Sequence, residues 1–220
     1  MLLVFATCGK RISRSPNSEG MIFYDVTYPS EQGNLMTELM PGEMVLKFKD
    51  DQMVSELKSI GGLMSITISA DNRKKEMIQV LKDFDKRYGL MLNEETIVEW
   101  INRNPQLLIE ELEGTELIAG YNCKKAIGRF NSDSLTDIQL FYTDQIDLES
   151  PNWFNPYSNI TGVLLGYDIE YLGMRMRFRA REVKYTDIDD SVFEVKTPFE
   201  NVEQDKMDDV CNQLATDFRN

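Results

Sequence analysis

The segment GMRMRFRAREV, at residues 173–183, carries an arginine at every second position from its third to its ninth residue. Alternate residues of an extended strand share a face, so Arg175, Arg177, Arg179 and Arg181 would line one side of a sheet. A row of guanidinium groups is suited to binding phosphate or carboxylate. The chain has a net charge of −13, so its own acidic residues could equally neutralise the row. The segment therefore predicts either an anion site or the solvated, paired face of a sheet.

A partner strand for this segment directly precedes it in the sequence. A tight turn about Leu172–Gly173 sets Glu170 opposite Arg175 and Asp168 opposite Arg177 in an antiparallel hairpin. Cross-strand pairs of opposite charge stabilise a sheet by roughly 0.2–1 kcal/mol each, and by less when they are exposed. Half of the arginine row is therefore accounted for by its own hairpin.

The other two arginines have no acidic residue opposite them in this hairpin. In the predicted register Arg179 faces Gly166, and Arg181 faces Leu164. We expect them to take a partner from the strand on their other side, in the region of Glu194, or to bind an external anion. Arg179 and Arg181 are therefore the candidate anion-binding residues.

The alternate positions of the same hairpin are apolar and form a second candidate site. Tyr167 would oppose Phe178, and Ile169 would oppose Met176 on this face. Methionine is flexible and polarisable, so it can line an adaptable apolar wall. The ordinary role of such a face is to fill the core, and contact with an apolar ligand is the alternative.

An aromatic loop adds to this second candidate. The segment PNWFNPYSN, at 151–159, combines two prolines with three aromatic residues. Such a loop is either folded down over the core as a plug or exposed as a lid or contact surface. We expect it near the opening of a hollow. The candidate ligand-binding residues are Trp153, Phe154, Tyr167, Ile169, Met174, Met176 and Phe178.

Catalytic chemistry has few candidates in this sequence. The chain contains no histidine, which removes the usual general base, the usual zinc ligand and any Ser–His or Cys–His pair. Cys123 stands beside Lys124 and Lys125, but strand neighbours point to opposite faces, so we expect a buried structural cysteine. The acidic residues at 187–190 lack the glycine and the final glutamate of a calcium loop. We therefore predict a non-enzymatic protein with no catalytic residue, no metal site and no cofactor.

The first twenty residues indicate targeting rather than folding. An apolar run, Leu2–Ala6, precedes Cys8, and a polar stretch follows at 9–20. This resembles the end of a bacterial lipoprotein signal, with lipid attached at Cys8. Phe5 and the missing basic start depart from that pattern, and a hydrophobic strand with an ordinary buried cysteine is the alternative. We expect 1–8 to be a residual signal ending in the lipidated cysteine, and 9–20 to be a tether.

A lipoprotein signal would also set the compartment. A lipidated Cys8 would hold the protein to a membrane of the bacterial cell envelope, facing the periplasm, with the inner and outer membranes both open. That compartment is oxidising, so Cys123 and Cys211 would be the only possible disulfide pair. The net charge of −13 argues against nucleic acid as a partner. No apolar run reaches the length of about 18 residues that a spanning helix needs.

The elements that position these residues are short strands. Predicted strands cover 22–28, 44–48, 64–68, 107–112, 116–130, 136–143, 162–171 and 174–185. One helix is predicted from Asn93 to Asn104, and another in the acidic tail from about residue 199. Residues 72–92 are open between a helix, from the spacing of Met77 and Leu81, and a hairpin. We predict one mainly β (α+β) domain over 21–220, a curved antiparallel sheet with one to three short helices.

Five segments of the second half carry a family resemblance. They are IAGYNCKKA (118–126), FYTDQI (141–146), PNWFNPY (151–157), GVLLGYDIEYLGMRMRFRAREV (162–183) and DIDDSVFEV (187–195). Together they resemble an uncharacterised family of bacterial envelope proteins, related in fold to the Lol lipoprotein-localisation superfamily. That resemblance implies a strongly curved, incompletely closed antiparallel barrel, whose hollow is covered by short helices and holds acyl chains. It also favours the hairpin for residues 72–92.

Two functions are compatible with these observations. The first is a non-enzymatic, lipid-anchored envelope protein that binds an apolar or acyl ligand in the hollow of a curved sheet. The alternative is an envelope interaction or scaffold domain with a filled core, which contacts another envelope protein. A packed apolar face without a pocket would favour the alternative.

Overall fold

The computed structural model describes residues 17–29, 40–103, 107–130, 137–171, 174–195 and 198–219. Within these ranges the chain forms twelve strands and two α-helices. The strands are β1 (Glu19–Thr27), β2 (Glu43–Lys49), β3 (Gln52–Lys58), β4 (Met64–Asp71), β5 (Glu76–Asp83), β6 (Lys86–Asn93), β7 (Leu107–Ile118), β8 (Tyr121–Phe130), β9 (Ile138–Thr143), β10 (Val163–Tyr171), β11 (Met174–Tyr185) and β12 (Glu200–Asn201). The helices are α1 (Glu94–Arg103) and α2 (Gln204–Arg219). The predicted signal and Cys8 lie outside the described residues.

All twelve strands form one sheet, in the order β12-β6-β5-β4-β3-β2-β1-β11-β10-β9-β8-β7. Neighbouring strands are antiparallel, except that β12 runs parallel to β6. The sheet curves strongly, because β7 contacts β11 although three strands lie between them. It does not close, and β7 and β12 are its edges within the described part of the chain. The prediction of a mainly β, curved antiparallel sheet is confirmed.

Strand alternation places one face of the sheet against the main core. Ile22 and Phe48 are completely buried there, as the alternating pattern of their strands predicts. Burying a side chain of this size stabilises the fold by about 1.5–3 kcal/mol. On this inner face α2 contributes Met207 and Leu214 to the same core. The acidic tail is therefore a helix that docks on the sheet.

Helix α1 begins where the sequence predicts it. The side-chain oxygen of Asn93 accepts a hydrogen bond from the N–H of Thr96, at 3.0 Å, and so caps the first turn. Ile97 is buried in the main core. Neither α1 nor α2 has the length and apolar character needed to cross a membrane.

Residues 76–93 form a hairpin of β5 and β6, as the family resemblance implies and the helical spacing does not. Asp83 pairs with Lys86 across a two-residue turn. Met77 and Leu81 are both buried, and their spacing of four is shared by a helix face and by every second residue of a strand. That spacing could therefore not distinguish the two structures.

Strand β3 is absent from the prediction because both of its faces are buried. Met53 packs in the main core, whereas Val54 packs with Ile188 and Phe193 on the outer face. Consecutive apolar residues of this kind break the alternation that identifies a half-buried strand.

Strand β7 is longer than predicted. Gly114, with φ of +85°, falls between the predicted strands 107–112 and 116–130, but it lies in a bulge and β7 continues to Ile118. The turn to β8 is formed by Ala119 and Gly120, which both have positive φ. The predicted gap between residues 112 and 116 is therefore a bulge within one strand, and the prediction of a single strand over 116–130 is wrong, because this turn divides it.

Candidate functional site

The register of the β10–β11 hairpin is as predicted, with Glu170 opposite Arg175 and Asp168 opposite Arg177. The ion pairs do not follow this register, because Asp168 pairs with both Arg175 and Arg177. Its carboxylate accepts from Nε of Arg175 at 2.6 Å, and from Nε of Arg177 at 2.9 Å. Asp168 is only 4% exposed. Its hydrogen bond and charge raise the pKa of the Arg177 guanidinium.

Arg179 crosses the sheet towards the far edge. Its guanidinium lies 4.9 Å from the ring centre of Phe141 on β9 and donates to the carboxylate of Glu116 on β7. Gly166 lies on β10, opposite Arg179 of β11 on one side and Phe141 of β9 on the other. A Cβ at Gly166 would lie only 2.8 Å from the Phe141 ring and would clash with it. The glycine therefore makes the close packing of Phe141, and with it the path of Arg179, possible.

The partner of Arg181 comes from a different strand than the sequence predicts. The strand beside β11 is β1, and not the region of Glu194. Arg181 donates to Asp25 of β1 at 2.8 Å and also to Glu43 of β2. These two hydrogen bonds raise its pKa. A bulge between Phe23 and Tyr24 sets Arg181 out of the regular register, so its partner was not visible in the hairpin alone.

The predicted anion site is thus occupied by carboxylates of the protein itself. All four arginines of the row have at least one acidic partner among the described residues. An external anion at Arg179 or Arg181 would have to displace Glu116, Asp25 or Glu43.

The segment around Glu194 covers the outer face of the sheet. Lys49 donates to the carbonyl of Ile188 at 2.6 Å and pairs with Asp190 at 2.6 Å. Asp189 accepts from the N–H of Ser191 and so caps a short turn, which lowers the pKa of its carboxyl group. The acidic residues in this segment therefore stabilise a turn, through Asp189, and hold the segment to Lys49 of β2, through Asp190. No group of three potential metal ligands occurs within the described ranges.

The apolar residues of the hairpin are brought together as a core. The rings of Tyr167 and Phe178 stack with centres 4.8 Å apart, and Tyr24 packs edge-on against both. The Tyr24 hydroxyl donates to the carbonyl of Leu164 at 2.8 Å, and burial raises its pKa. Met174 and Met176 are buried, and Ile169 is partly buried against the same core.

The aromatic loop closes one end of the sheet, which we call the closed end. Nε1 of Trp153 donates to Oδ1 of Asn72 at 3.0 Å, in the turn between β4 and β5. Asn152 donates to the carbonyls of Ile160 and Gly162, at 2.8 and 2.9 Å, and so fixes the loop on itself. Phe154 packs against the main core. Trp153 and Phe154 therefore fold down against the core, which is the plug arrangement of the loop, and their contact with a ligand stays a prediction.

The opposite end of the sheet, the open end, has a small apolar cavity. Its volume is about 20 Å³, and Met40, Met64 and Met176 line it together with Leu57 and Leu81. Of the predicted ligand-binding residues only Met176 lines this cavity. A buried water needs roughly 10–15 Å³, whereas a small-molecule site is typically about 300–1,000 Å³. In the described part of the chain, this cavity therefore has room for about one water molecule and not for an acyl chain.

Two exposed apolar side chains lie beside this cavity, and the sequence prediction missed both. Leu63 is 53% exposed and Phe84 is 60% exposed. The N–H of Phe84 donates to the carbonyl of Leu63 at 2.9 Å, so the two turns that carry them are joined. The sequence did contain a signal for their exposure. Leu63 directly follows Gly61–Gly62, and Phe84 lies in the two-residue turn of the β5–β6 hairpin, and both are positions where an apolar side chain is usually exposed.

A second exposed apolar surface follows the edge strand β7. Leu108 and Leu117 are each 68% exposed, and Leu112 is also exposed. The strand carries four glutamates and no basic residue. Arg129 donates to Glu110, and the Tyr142 hydroxyl donates to Glu111. The alternation of apolar and acidic residues in β7 was the signal for a solvent-exposed edge.

Cys123 is a buried structural residue, as expected. It is completely buried, and burial raises the pKa of its thiol to about 11. Lys124 points away from it, to Asp144 at 2.6 Å. Cys123 and Cys211 do not form a disulfide with each other. An activated nucleophile at Cys123 is therefore not supported by its surroundings.

No protein-family model matches the sequence. No curated protein sequence matches it significantly. Among solved structures, the chain is similar to a beta-barrel-like protein of the domain of unknown function DUF1849 from Brucella abortus, with 11% identity and a TM-score of 0.34. The match covers 78% of this chain and 99% of that chain. At this TM-score the likeness carries no conclusion about ligand or activity.

Proposed function

We propose that the protein is a non-enzymatic interaction domain of the bacterial envelope, whose apolar hollow is filled by its own side chains. The observation that supports this function is the cavity of only about 20 Å³ on an otherwise packed apolar face. A hollow of that size has room for about one water molecule. In this proposal the partner contacts the outer surface of the sheet and not its interior.

Binding of an apolar or acyl ligand is the second candidate function. Met40, Met64 and Met176 surround the cavity, and flexible methionine side chains can repack around a ligand. The fold-level resemblance to the Lol superfamily points the same way, as an analogy. This candidate requires the three methionines to move apart, because the hollow has no room for an acyl chain in the structure described here.

Native mass spectrometry of the gently purified protein, with a fluorescent fatty-acid uptake assay, separates the two candidates. We expect the mass of the bare chain and no uptake. Met176→Ala is the positive control, because it removes a side chain from the cavity wall and should admit a small apolar probe such as benzene. Co-purified lipid in the unmodified protein would favour the second candidate and contradict a filled core.

The surface that we propose for a protein partner is the edge of β7. It offers up to twelve residues of backbone for a further strand, and Leu108 and Leu112 lie on one face of it. Its four glutamates, of which Glu113 has no ion-pair partner among the described residues, favour an extended segment rich in lysine or arginine. A second copy of β7 would instead bring like charges together, which is unfavourable.

Hydrogen exchange tests this surface with a designed twelve-residue peptide that alternates lysine and valine. We expect slower exchange of the β7 amides on binding, and a weaker effect at high salt. A peptide that alternates glutamate and valine is the matched control and should not protect β7. Protection at β12 instead, or equal protection by both peptides, would contradict the assignment.

Membrane attachment through Cys8 completes the proposal and rests on the sequence alone. Cys8→Ala should abolish both membrane fractionation and incorporation of labelled palmitate in a bacterial host. Cys211→Ala is the matched control and should change neither. Membrane fractionation that survives Cys8→Ala without palmitate would argue against a lipid anchor at this residue.

A further inference from the structure

The open end presents a surface of a different kind from the rest of this acidic protein. Leu63 and Phe84 project from two neighbouring turns that are joined by a backbone hydrogen bond of 2.9 Å. Nζ of Lys82 donates to the carbonyl of Gly62 at 2.6 Å. The two apolar side chains are therefore held side by side on fixed turns and project into solvent together.

The charges around these two residues are unlike those of the whole chain. Residues 56–63 and 82–87 carry four basic and three acidic side chains, in a chain whose net charge is −13. Lys86 and Arg87 are exposed, and neither has an ion-pair partner among the described residues. They directly follow the turn that carries Phe84. The open end thus combines exposed apolar groups with available positive charge.

We propose that the open end docks on an anionic lipid surface. In this arrangement Leu63 and Phe84 enter the boundary between headgroups and acyl chains, while Lys86 and Arg87 contact the anionic headgroups. Apolar insertion and basic attraction are the two contributions that hold peripheral proteins at membranes. The proposal does not rest on the filled core or on lipidation at Cys8, and it adds a second, non-covalent membrane contact.

The choice of a lipid surface over a protein partner rests on the comparison with β7. Leu108 and Leu117 of β7 are more exposed than Leu63 and Phe84, but four glutamates accompany them in that strand and no basic residue does. An anionic membrane would repel that surface. At the open end the same apolar exposure occurs beside Lys86 and Arg87, which an anionic membrane attracts.

Vesicle flotation tests the proposal with the full chain carrying Cys8→Ser, so that no lipid anchor contributes. The probes are vesicles of phosphatidylcholine alone and of phosphatidylcholine mixed equally with phosphatidylglycerol. We expect binding to the mixed vesicles that weakens at high salt, and little binding to phosphatidylcholine. L63S with F84S should reduce this binding by roughly tenfold or more, and so should K86Q with R87Q.

Two matched variants control for apolar exposure and for charge. L108S with L117S removes two exposed leucines from β7, and R73Q with K74Q removes two cations from the turn at the closed end. Both should bind the mixed vesicles like the unmodified chain, and thermal unfolding checks that every variant is folded. The proposal is overturned if the unmodified chain does not float, or if the β7 or closed-end variants lose as much binding as the open-end variants.

Discussion

The two ends of the sheet are built in different ways. At the closed end polar groups hold a plug in place, through the bond from Trp153 to Asn72 and the two bonds donated by Asn152. At the open end the cavity wall is apolar, and Leu63 and Phe84 are left exposed. Polar contacts of this kind fix one geometry, whereas methionines and exposed apolar residues permit several. The difference locates the adaptable part of the molecule at the open end.

The comparison also limits what the interior can do. Among the described residues, the aromatic loop covers the closed end, and the cavity at the open end has a volume of only about 20 Å³. These two observations favour recognition at the outer surface.

The largest effect is expected at Cys123, in the sealed interior. Because burial raises its pKa to about 11, the thiolate that reacts with iodoacetamide is scarce at neutral pH. At pH 7.5 this alone slows alkylation roughly 100-fold relative to a cysteine of ordinary pKa. Peptide mapping of the Cys8→Ser chain should therefore show Cys211 modified first. Equal rates at the two cysteines would mean that the interior opens to solvent.

Cys123 also illustrates what sequence reasoning can reach. Its structural role followed from strand parity, because neighbours in a strand point to opposite faces and Lys124 therefore could not reach the thiol. The absence of a pairing with Cys211 did not follow, because it depends on the distance between a strand and a helix far apart in the chain. Local periodicity predicts which face of a strand a residue occupies. The distance between two residues that are far apart in the chain can be known only from the fold.

The next effect concerns Asp168, which lies buried between two arginines. Asp168→Asn should destabilise the protein by about 3 kcal/mol, because it leaves the guanidinium of Arg175 without its charge partner. Arg177 is half exposed, so its loss of partner adds little. Urea denaturation gives the change in free energy of unfolding. Glu170→Gln is the matched control on the same strand and should change it by less than about 0.5 kcal/mol. Equal effects of the two variants would contradict this assignment.

The arginine row shows where the sequence sufficed and where it did not. The hairpin register was predictable, because it depends on one tight turn and on alternation. The partners of Arg179 and Arg181 were not, because Glu116 arrives through the curvature of the sheet and Asp25 through the pairing of β1 with β11. Both contacts join residues that are far apart in the chain. The closed and open ends were unpredictable for the same reason.

The smallest effect compares one aromatic residue at each end. Trp153→Ala should destabilise the protein by about 2 kcal/mol, because it removes a half-buried ring and the hydrogen bond to Asn72. Phe84→Ala should change the free energy of unfolding by less than about 0.5 kcal/mol, because its ring is 60% exposed. Urea denaturation of the two variants measures both values. A cost at Phe84 as large as that at Trp153 would mean that Phe84 is part of the packed structure. It would then not be available for contact with a membrane, and the contrast between the two ends would be lost.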